Sequence, residues 1–183
     1  MMAVRSIGII LAITALGATA GLAQVKQQQP ISALKGHNSN APVDVTADQI
    51  EVQDRADRAI FAGNVHANQG ELSLSTPRLT VAYSGGQGSA GGVQIRRLDA
   101  AGGVVVKSPS ETARGDFGVY DLDRRLITLI GNVQLDREQN RVNGARLVID
   151  LDTGRAVVDG GPPGVNQSGG RVTGHFTVPQ RRQ

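Results

Sequence analysis

The sequence predicts an all-β chain built on an antiparallel sheet, and three observations carry that prediction. Apolar and polar residues alternate with period two over most of the chain from Pro42 onward, and no window of eleven residues keeps a helical stripe. Glycine is abundant, 24 of 183 residues, and with the many β-branched side chains it disfavours helix interiors. The second half also repeats the first: a shift of 68 residues sets Asp48 on Asp116, Gly63-Asn64-Val65 on Gly131-Asn132-Val133, and Arg78-Leu79 on Arg146-Leu147. The apolar phase survives the shift, with Phe61 on Leu129, Ala67 on Leu135, Leu74 on Val142, and Val81 and Tyr83 on Ile149 and Leu151. Gly102-Gly103-Val104 forms a weaker half-unit between the two. Hairpin-like repeats of this kind bury one continuous face as a stacked or rolled sheet.

Taken in order, the chain opens with Arg5 ahead of the apolar run Ile7 to Leu16, then small residues ending Gly21-Leu22-Ala23. This is the pattern of a cleavable secretory signal over residues 1–23, too short to anchor in a bilayer, with the mature chain starting near Gln24. Residues 24–41 are polar, contain Pro30, and read as a disordered leader. The domain follows over 42–178. Val43 and Val45 alternate first, then Ile50 and Val52, then a charged turn at Asp54 to Arg58, then Phe61, Val65 and Ala67. Gly63-Asn64 marks a tight turn or a bulge. Leu72 and Leu74, then Leu79, Val81 and Tyr83, continue the alternation before a glycine-rich loop at 84–92. That loop contains Gly86, Gly88 and Gly91 in G-x-G-x-x-G spacing, but a further strand pattern follows where a nucleotide-binding helix would have to start. A second glycine- and proline-rich loop spans 160–170, a last strand candidate spans Arg171 to Val178, and 179–183 is a basic tail.

Composition excludes several function classes. The absence of cysteine removes disulfides, thiolate chemistry and sulfur-ligated zinc. A net charge of +3 and 3% aromatic residues give no basis for nucleic-acid binding. His37, His66 and His175 have no second ligand at metal spacing, so no metal site and no cofactor is expected. Asp121-Leu122-Asp123 and Asp150-Leu151-Asp152 place two carboxylates on one strand face, yet both also read as hairpin ends. Asp150 to Gly154 lacks the distal acid of a calcium loop. No serine sits in a nucleophile elbow, so no catalytic residue is assigned and a hydrolase is a distant alternative. Asn166-Gln167-Ser168 matches a glycosylation acceptor.

What remains is an apolar sheet face with no helix to cover it, so the sheet must fold over on itself. Periodicity leaves two outcomes open: a sandwich core packed shut, or a trough that accepts an acyl-chain ligand. The first would suit a secreted structural or adhesive β-repeat protein with no lipid ligand.

Pro42-Val43-x-Val45-x-Ala47-Asp48, Phe61-x-Gly63-Asn64-Val65, Gln69-Gly70 and Arg78-Leu79-x-Val81 together resemble the OstA-like domain of the LptA family of lipopolysaccharide transport proteins. Gly115-Asp116, Tyr120-Asp121-Leu122, Leu129-x-Gly131-Asn132-Val133 and Ile149-Asp150-Leu151-x-Thr153-Gly154 carry the same resemblance. The resemblance implies an open, twisted antiparallel β-jellyroll in the periplasm of a Gram-negative bacterium. It implies a non-enzymatic carrier that holds lipopolysaccharide by its lipid A acyl chains. Such carriers stack head to tail as homo-oligomers between an LptC-like inner-membrane protein and an LptD-like outer-membrane protein. The lipid groove is then expected along Val43, Val45, Ile50, Val52, Phe61, Leu72, Leu74, Val81, Val104, Val106, Tyr120, Leu122, Leu129, Leu135 and Ile149. The assembly edges are expected at Val43, Asp44, Val45 and Thr46, and at Val172, Thr173, His175 and Phe176. An LptC-like relative would keep an N-terminal anchor, and an LptD-like one would continue into a barrel.

Overall fold

A computed structural model describes residues 37–85, 92–161 and 170–178. The expected signal segment, leader residues 24–36, the Gly86/Gly88/Gly91 spacing, Asn166-Gln167-Ser168 and the tail 179–183 lie outside the described residues. The strands are β1 (Asp44–Thr46), β2 (Gln49–Gln53), β3 (Arg58–Gln69), β4 (Leu72–Ser84), β5 (Gln94–Lys107), β6 (Glu111–Asp121), β7 (Leu126–Arg137), β8 (Asn140–Asp150), β9 (Arg155–Asp159) and β10 (Thr173–His175).

Among the described residues these form one antiparallel sheet in the order β1-β3-β4-β5-β6-β7-β8-β10, with β2 also on β3 and β9 also on β8. The path is almost sequential because most strands are joined to the next by two to four residues, which favours neighbours in sequence becoming neighbours in space. Neither end pairs with the other, so the sheet stays open.

The repeat is geometric as well as sequential. β3 and β7 run over 58–69 and 126–137, so the strand ends themselves keep the 68-residue offset. Left-handed backbone recurs at equivalent places: Asp57 and Arg125, Gly63 and Gly131, Asn64 and Asn132, Gly70 and Glu138. Gly63-Asn64 is therefore a bulge inside a continuous strand and not a turn between two short ones. Register shifts fall between Ala62 and Val65 and between Ile130 and Val133. In each copy the asparagine Nδ2 donates to an aspartate Oδ2 at 2.8 Å, Asn64 to Asp48 and Asn132 to Asp116. The half-unit obeys the same rule with glycine alone: Gly102 and Gly103 both have φ of +95° at the Ala101/Val104 shift. Pro77 sits beside this point at the shift in β4, where a missing N–H removes no ladder bond.

A row of mid-strand bulges bends every long strand along one line, because a bulge adds a residue on one side and sharpens the local twist. The two halves of each strand then belong to opposing layers. The contact between Tyr120 of β6 and Gln69 of β3, strands that are not neighbours in the sheet, demonstrates the closure: Tyr120 Oη donates to Gln69 Oε1 at 2.9 Å.

The core lies between the layers and is made of aliphatic side chains. Leu79, Leu129, Leu147, Ile149, Val65, Val104 and Val133 are its fully buried members. Each such side chain contributes roughly 1.5–3 kcal/mol relative to leaving it in water. The expected last strand is shorter than the sequence suggests: only Thr173–His175 of 171–178 pairs, against Arg141 to Asn143. The free edge of β8 is shared, since β9 takes Arg146 to Asp150. That leaves β10 only the other end.

Candidate functional site

The interior between the layers is the candidate site, and local sequence sets its walls. On β4 to β8 every second residue points inward, and the bulges restore the phase after each interruption. Leu72, Val81, Val104, Val106, Tyr120, Leu129, Leu135 and Ile149 are all buried there. Val43, Val45, Phe61, Leu74 and Leu122 are half-buried and pack against that core. Ile50 and Val52 depart from expectation: they are 55% and 57% exposed. They pair with the inward Phe61 and Ala59, so they face the right side, but β2 is an edge strand and among the described residues no opposing layer reaches over it.

At the end nearer β1, a cavity of about 20 Å³ is lined by Val43, Gln69, Leu72, Leu74, Leu98, Val106, Gly118, Tyr120, Ile127 and Leu129, among others. Gly118 fits closely at this wall: an added Cβ would lie 3.0 Å from Leu129 Cδ2 and 3.1 Å from Val104 Cγ1, so those side chains would have to shift to admit it. A second cavity, of about 10 Å³, shares Val106 with the first and is otherwise lined by Ser108, Glu111, Ala113, Leu135 and Ile149. Spaces of this size hold about one water each. A wider opening of about 570 Å³ lies between Ser39 to Val43, Val93 to Arg96, Leu122 and Asp123.

Three polar side chains are buried in this apolar setting: Gln69, Thr76 and Glu111. Thr76 is satisfied by backbone, its hydroxyl donating to Ala101 O at 3.0 Å. Gln69 meets Tyr120, His37 and the carbonyls of Ser39 and Ala41. Burial pushes the Tyr120 hydroxyl above its ordinary range. Glu111 Oε1 has no hydrogen-bond partner and lies 3.6 Å from Arg137 Nη1. Burial raises the Glu111 carboxyl pKa against the opposing pull of that guanidinium. Sequence patterning did not reveal Gln69 or Glu111 as interior groups. Leu98, Ile127 and Leu147 were also missed, although strict alternation from Val104, Leu129 and Ile149 reaches all three.

The aspartate pairs behave as turn ends. Asp150 Oδ1 accepts the N–H groups of Thr153 and Asp152, both at 3.0 Å, and the Thr153 contact leads in holding its carboxyl below the usual range. Asp121 Oδ1 accepts Arg124 N–H at 2.9 Å, while Asp123 and Asp152 pair with Arg96 and Arg125. The histidines are dispersed. His37 meets Gln69, His66 meets Ser75, and His175 lies on β10. Among the described residues no group of three or more His, Cys, Asp or Glu side chains gathers to hold a metal ion.

With the expected edge residues, Asp44, Val45 and Thr46 form β1, and Val43 leads into it. Thr173 and His175 lie on β10, flanked by Val172 and Phe176, which are 44% and 59% exposed.

An open, bulge-folded sheet with an aliphatic interior can be compared with known proteins. Residues 44–155 match the family described as LptA/(LptD N-terminal domain) LPS transport protein. The chain belongs to that family. Within it, the chain is similar to an uncharacterized protein of Rhizobium meliloti (strain 1021), 32% identical over 154 residues that cover 81% of this chain and 83% of the relative. In fold, this LptA-family chain resembles LptH of Pseudomonas aeruginosa, described as the LptA homologous periplasmic component of the conserved lipopolysaccharide transport device. The TM-score is 0.67 at 17% identity, covering 78% of this chain and 99% of LptH. The LptA-family fold thus holds across nearly all of LptH at an identity where only the architecture is retained.

Proposed function

We propose that this chain is a periplasmic lipopolysaccharide carrier, exported by a signal cleaved after Ala23, whose two sheet layers hold the acyl chains of lipid A. The supporting observation is an apolar interior enclosed by a sheet with unjoined edges. A closed barrel admits a chain only through its open mouth. Here the layers can part along the bulge line with every ladder intact, and glycine and asparagine at that line supply the backbone freedom. The carrier is not an enzyme in this reading. It stacks head to tail through β1 and β10 and meets an LptC-like protein at one end and an LptD-like protein at the other.

Photo-crosslinking tests the carrier. A crosslinker at Val106 or Tyr120 should capture lipopolysaccharide, and one at the exposed Arg78 or at Thr128 should not. Equal capture at all four positions would refute the groove.

One observation favours a second reading. The interior cavities of about 20 and 10 Å³ are too small for a chain as they stand, as in a structural β-repeat protein with a shut core. Lipid extraction and mass spectrometry of protein purified from its native envelope separates the two, since only the carrier co-purifies with lipopolysaccharide.

A further inference from the structure

Gln69 is the least exposed of the buried polar side chains among the described residues, 3% exposed and placed at the wall of the trough. Its Nε2 donates to Ser39 O at 3.0 Å and to Ala41 O at 2.9 Å. Its Oε1 accepts Tyr120 Oη–H at 2.9 Å and His37 Nε2–H at 3.0 Å. Both N–H donors and both lone pairs are therefore used. Two backbone carbonyls can only accept, so they fix which way the amide points, and the Tyr120 hydroxyl holds its other end. The segment from His37 to Val43 is thereby strapped across the trough: Val43 lines the inner cavity and Ser39 to Pro42 form one wall of the wider opening.

This arrangement dictates what can replace the strap. If Ser39 and Ala41 leave while the trough stays dry, two amide donors are stranded against aliphatic walls, and a stranded donor is costly. Methylene groups cannot satisfy them, but a carbonyl oxygen can. We propose that Gln69 is a binding residue for the ester or amide carbonyls at the root of acyl chains, that Tyr120 is its positioning residue, and that the strap carbonyls of Ser39 and Ala41 occupy this site until such a lipid displaces them. This rests on the reading that the trough holds acyl chains, and it adds a polar recognition point to an otherwise apolar surface.

The chain has no cysteine, so Asn40→Cys places a single nitroxide on the strap. Two probes are compared below their micelle-forming concentrations: a single-chain acyl lysophospholipid and its alkyl-ether analogue, identical but for the carbonyl. The acyl probe should bind about five- to tenfold more tightly, the span of one good hydrogen bond, and should sharpen the nitroxide spectrum as the strap is released. Gln69→Met keeps the side-chain shape without donors. It should abolish the preference and leave the strap mobile before any lipid is added. Tyr120→Phe, which removes one hydroxyl only, should reduce the preference in the same direction and covers the case where Gln69→Met fails to fold. Equal binding of the two probes, or tight acyl binding with an immobile strap, overturns the site but leaves the groove standing. Binding of neither probe overturns both.

Discussion

Replacing Gly131 with alanine should destabilise the domain far more than replacing Gly70, a left-handed glycine with open space around it. Gly131 has φ of +80°, is buried, and stands at the bulge where β7 bends. An added methyl would overlap the Asp116 carboxylate and lie 3.0 Å from both its Cβ and Cγ. Since Cβ itself is involved, the aspartate cannot swing clear by rotation, and the 2.8 Å bond from Asn132 Nδ2 would be lost with the shift. The left-handed conformation costs an L-residue about 1–2 kcal/mol. Loss of the hydrogen bond adds roughly 1 kcal/mol, taken at the low end because the pair faces solvent.

Gly70 is the control. Its φ is +57° with nothing within 4 Å of an added Cβ, and its repeat equivalent Glu138 already adopts φ of +53°. Gly70→Ala should therefore cost only the conformational term, about 1 kcal/mol. For a domain of this size each kcal/mol moves Tm by about 3–6 °C. Thermal unfolding followed by far-ultraviolet circular dichroism should show Gly131→Ala lower than wild type by about 8–15 °C and Gly70→Ala by about 3–6 °C. If the two variants melt within about 2 °C of each other, the Asp116 contact is not what makes glycine necessary at the bulge.

Val106→Asp should abolish lipopolysaccharide capture in the crosslinking assay, because Val106 is 4% exposed and an unpaired charge there costs several kcal/mol; retained capture would place the lipid elsewhere. Glu111 should make stability fall with rising pH. Its raised pKa means the folded chain keeps a proton that the unfolded chain has lost, so its contribution is full below the ordinary glutamate value and declines as pH climbs through the raised one. Glu111→Gln should flatten urea-unfolding stability across that window and leave lower pH unchanged; an unaltered slope would show that Arg137 compensates the charge. Removing residues 171–183 should leave a β-rich monomer whose light scattering no longer rises with concentration, since β10 contributes only three paired residues to the sheet. Loss of the β signal would make β10 part of the core instead.

Much of this architecture was legible because parity is local. A residue's face follows from its neighbours two positions away, so alternation marked Leu72, Leu74, Leu79 and Val81 of β4 as one face, and the 68-residue repeat carried that phase to Val142, Leu147 and Ile149 of β8. What alternation cannot report is which layer covers which. Ile50 and Val52 are in phase with the interior but lie on an edge strand, and exposure there depends on a contact absent from the local pattern. Gln69 and Glu111 failed for the opposite reason. Each lies at a strand end beside polar turn residues, where a solvated side chain is the ordinary outcome, and only the fold-over of distant strands buries them. The eight-residue candidate at 171–178 was shortened by competition for β8, which is again a non-local matter.

The two copies of the repeat make the role of cover explicit. Ile50 and Val52 are equivalent by the 68-residue shift to Gly118 and Tyr120, which pair with the same inward positions one repeat later, Leu129 and Ile127 in place of Phe61 and Ala59. Backbone geometry at the two places is alike, and even the turn bonds match, Tyr83 N–H to Asp57 O at 2.9 Å and Leu151 N–H to Arg125 O at 3.0 Å. Yet Tyr120 is 4% exposed while Val52 is 57% exposed. The difference arises from what stands opposite: β6 lies mid-sheet with Tyr120 against Gln69 of β3, whereas β2 pairs with β3 on one side and, among the described residues, no layer lies over it. The side chains follow that difference, with a glycine and a hydrogen-bonded tyrosine chosen for a closed space and two β-branched aliphatics left at the open one. An apolar interior that continues unbroken to an uncovered edge is a surface still suited to packing. Among the described residues that uncovered stretch is the β2 end of the sheet, at Ile50 and Val52.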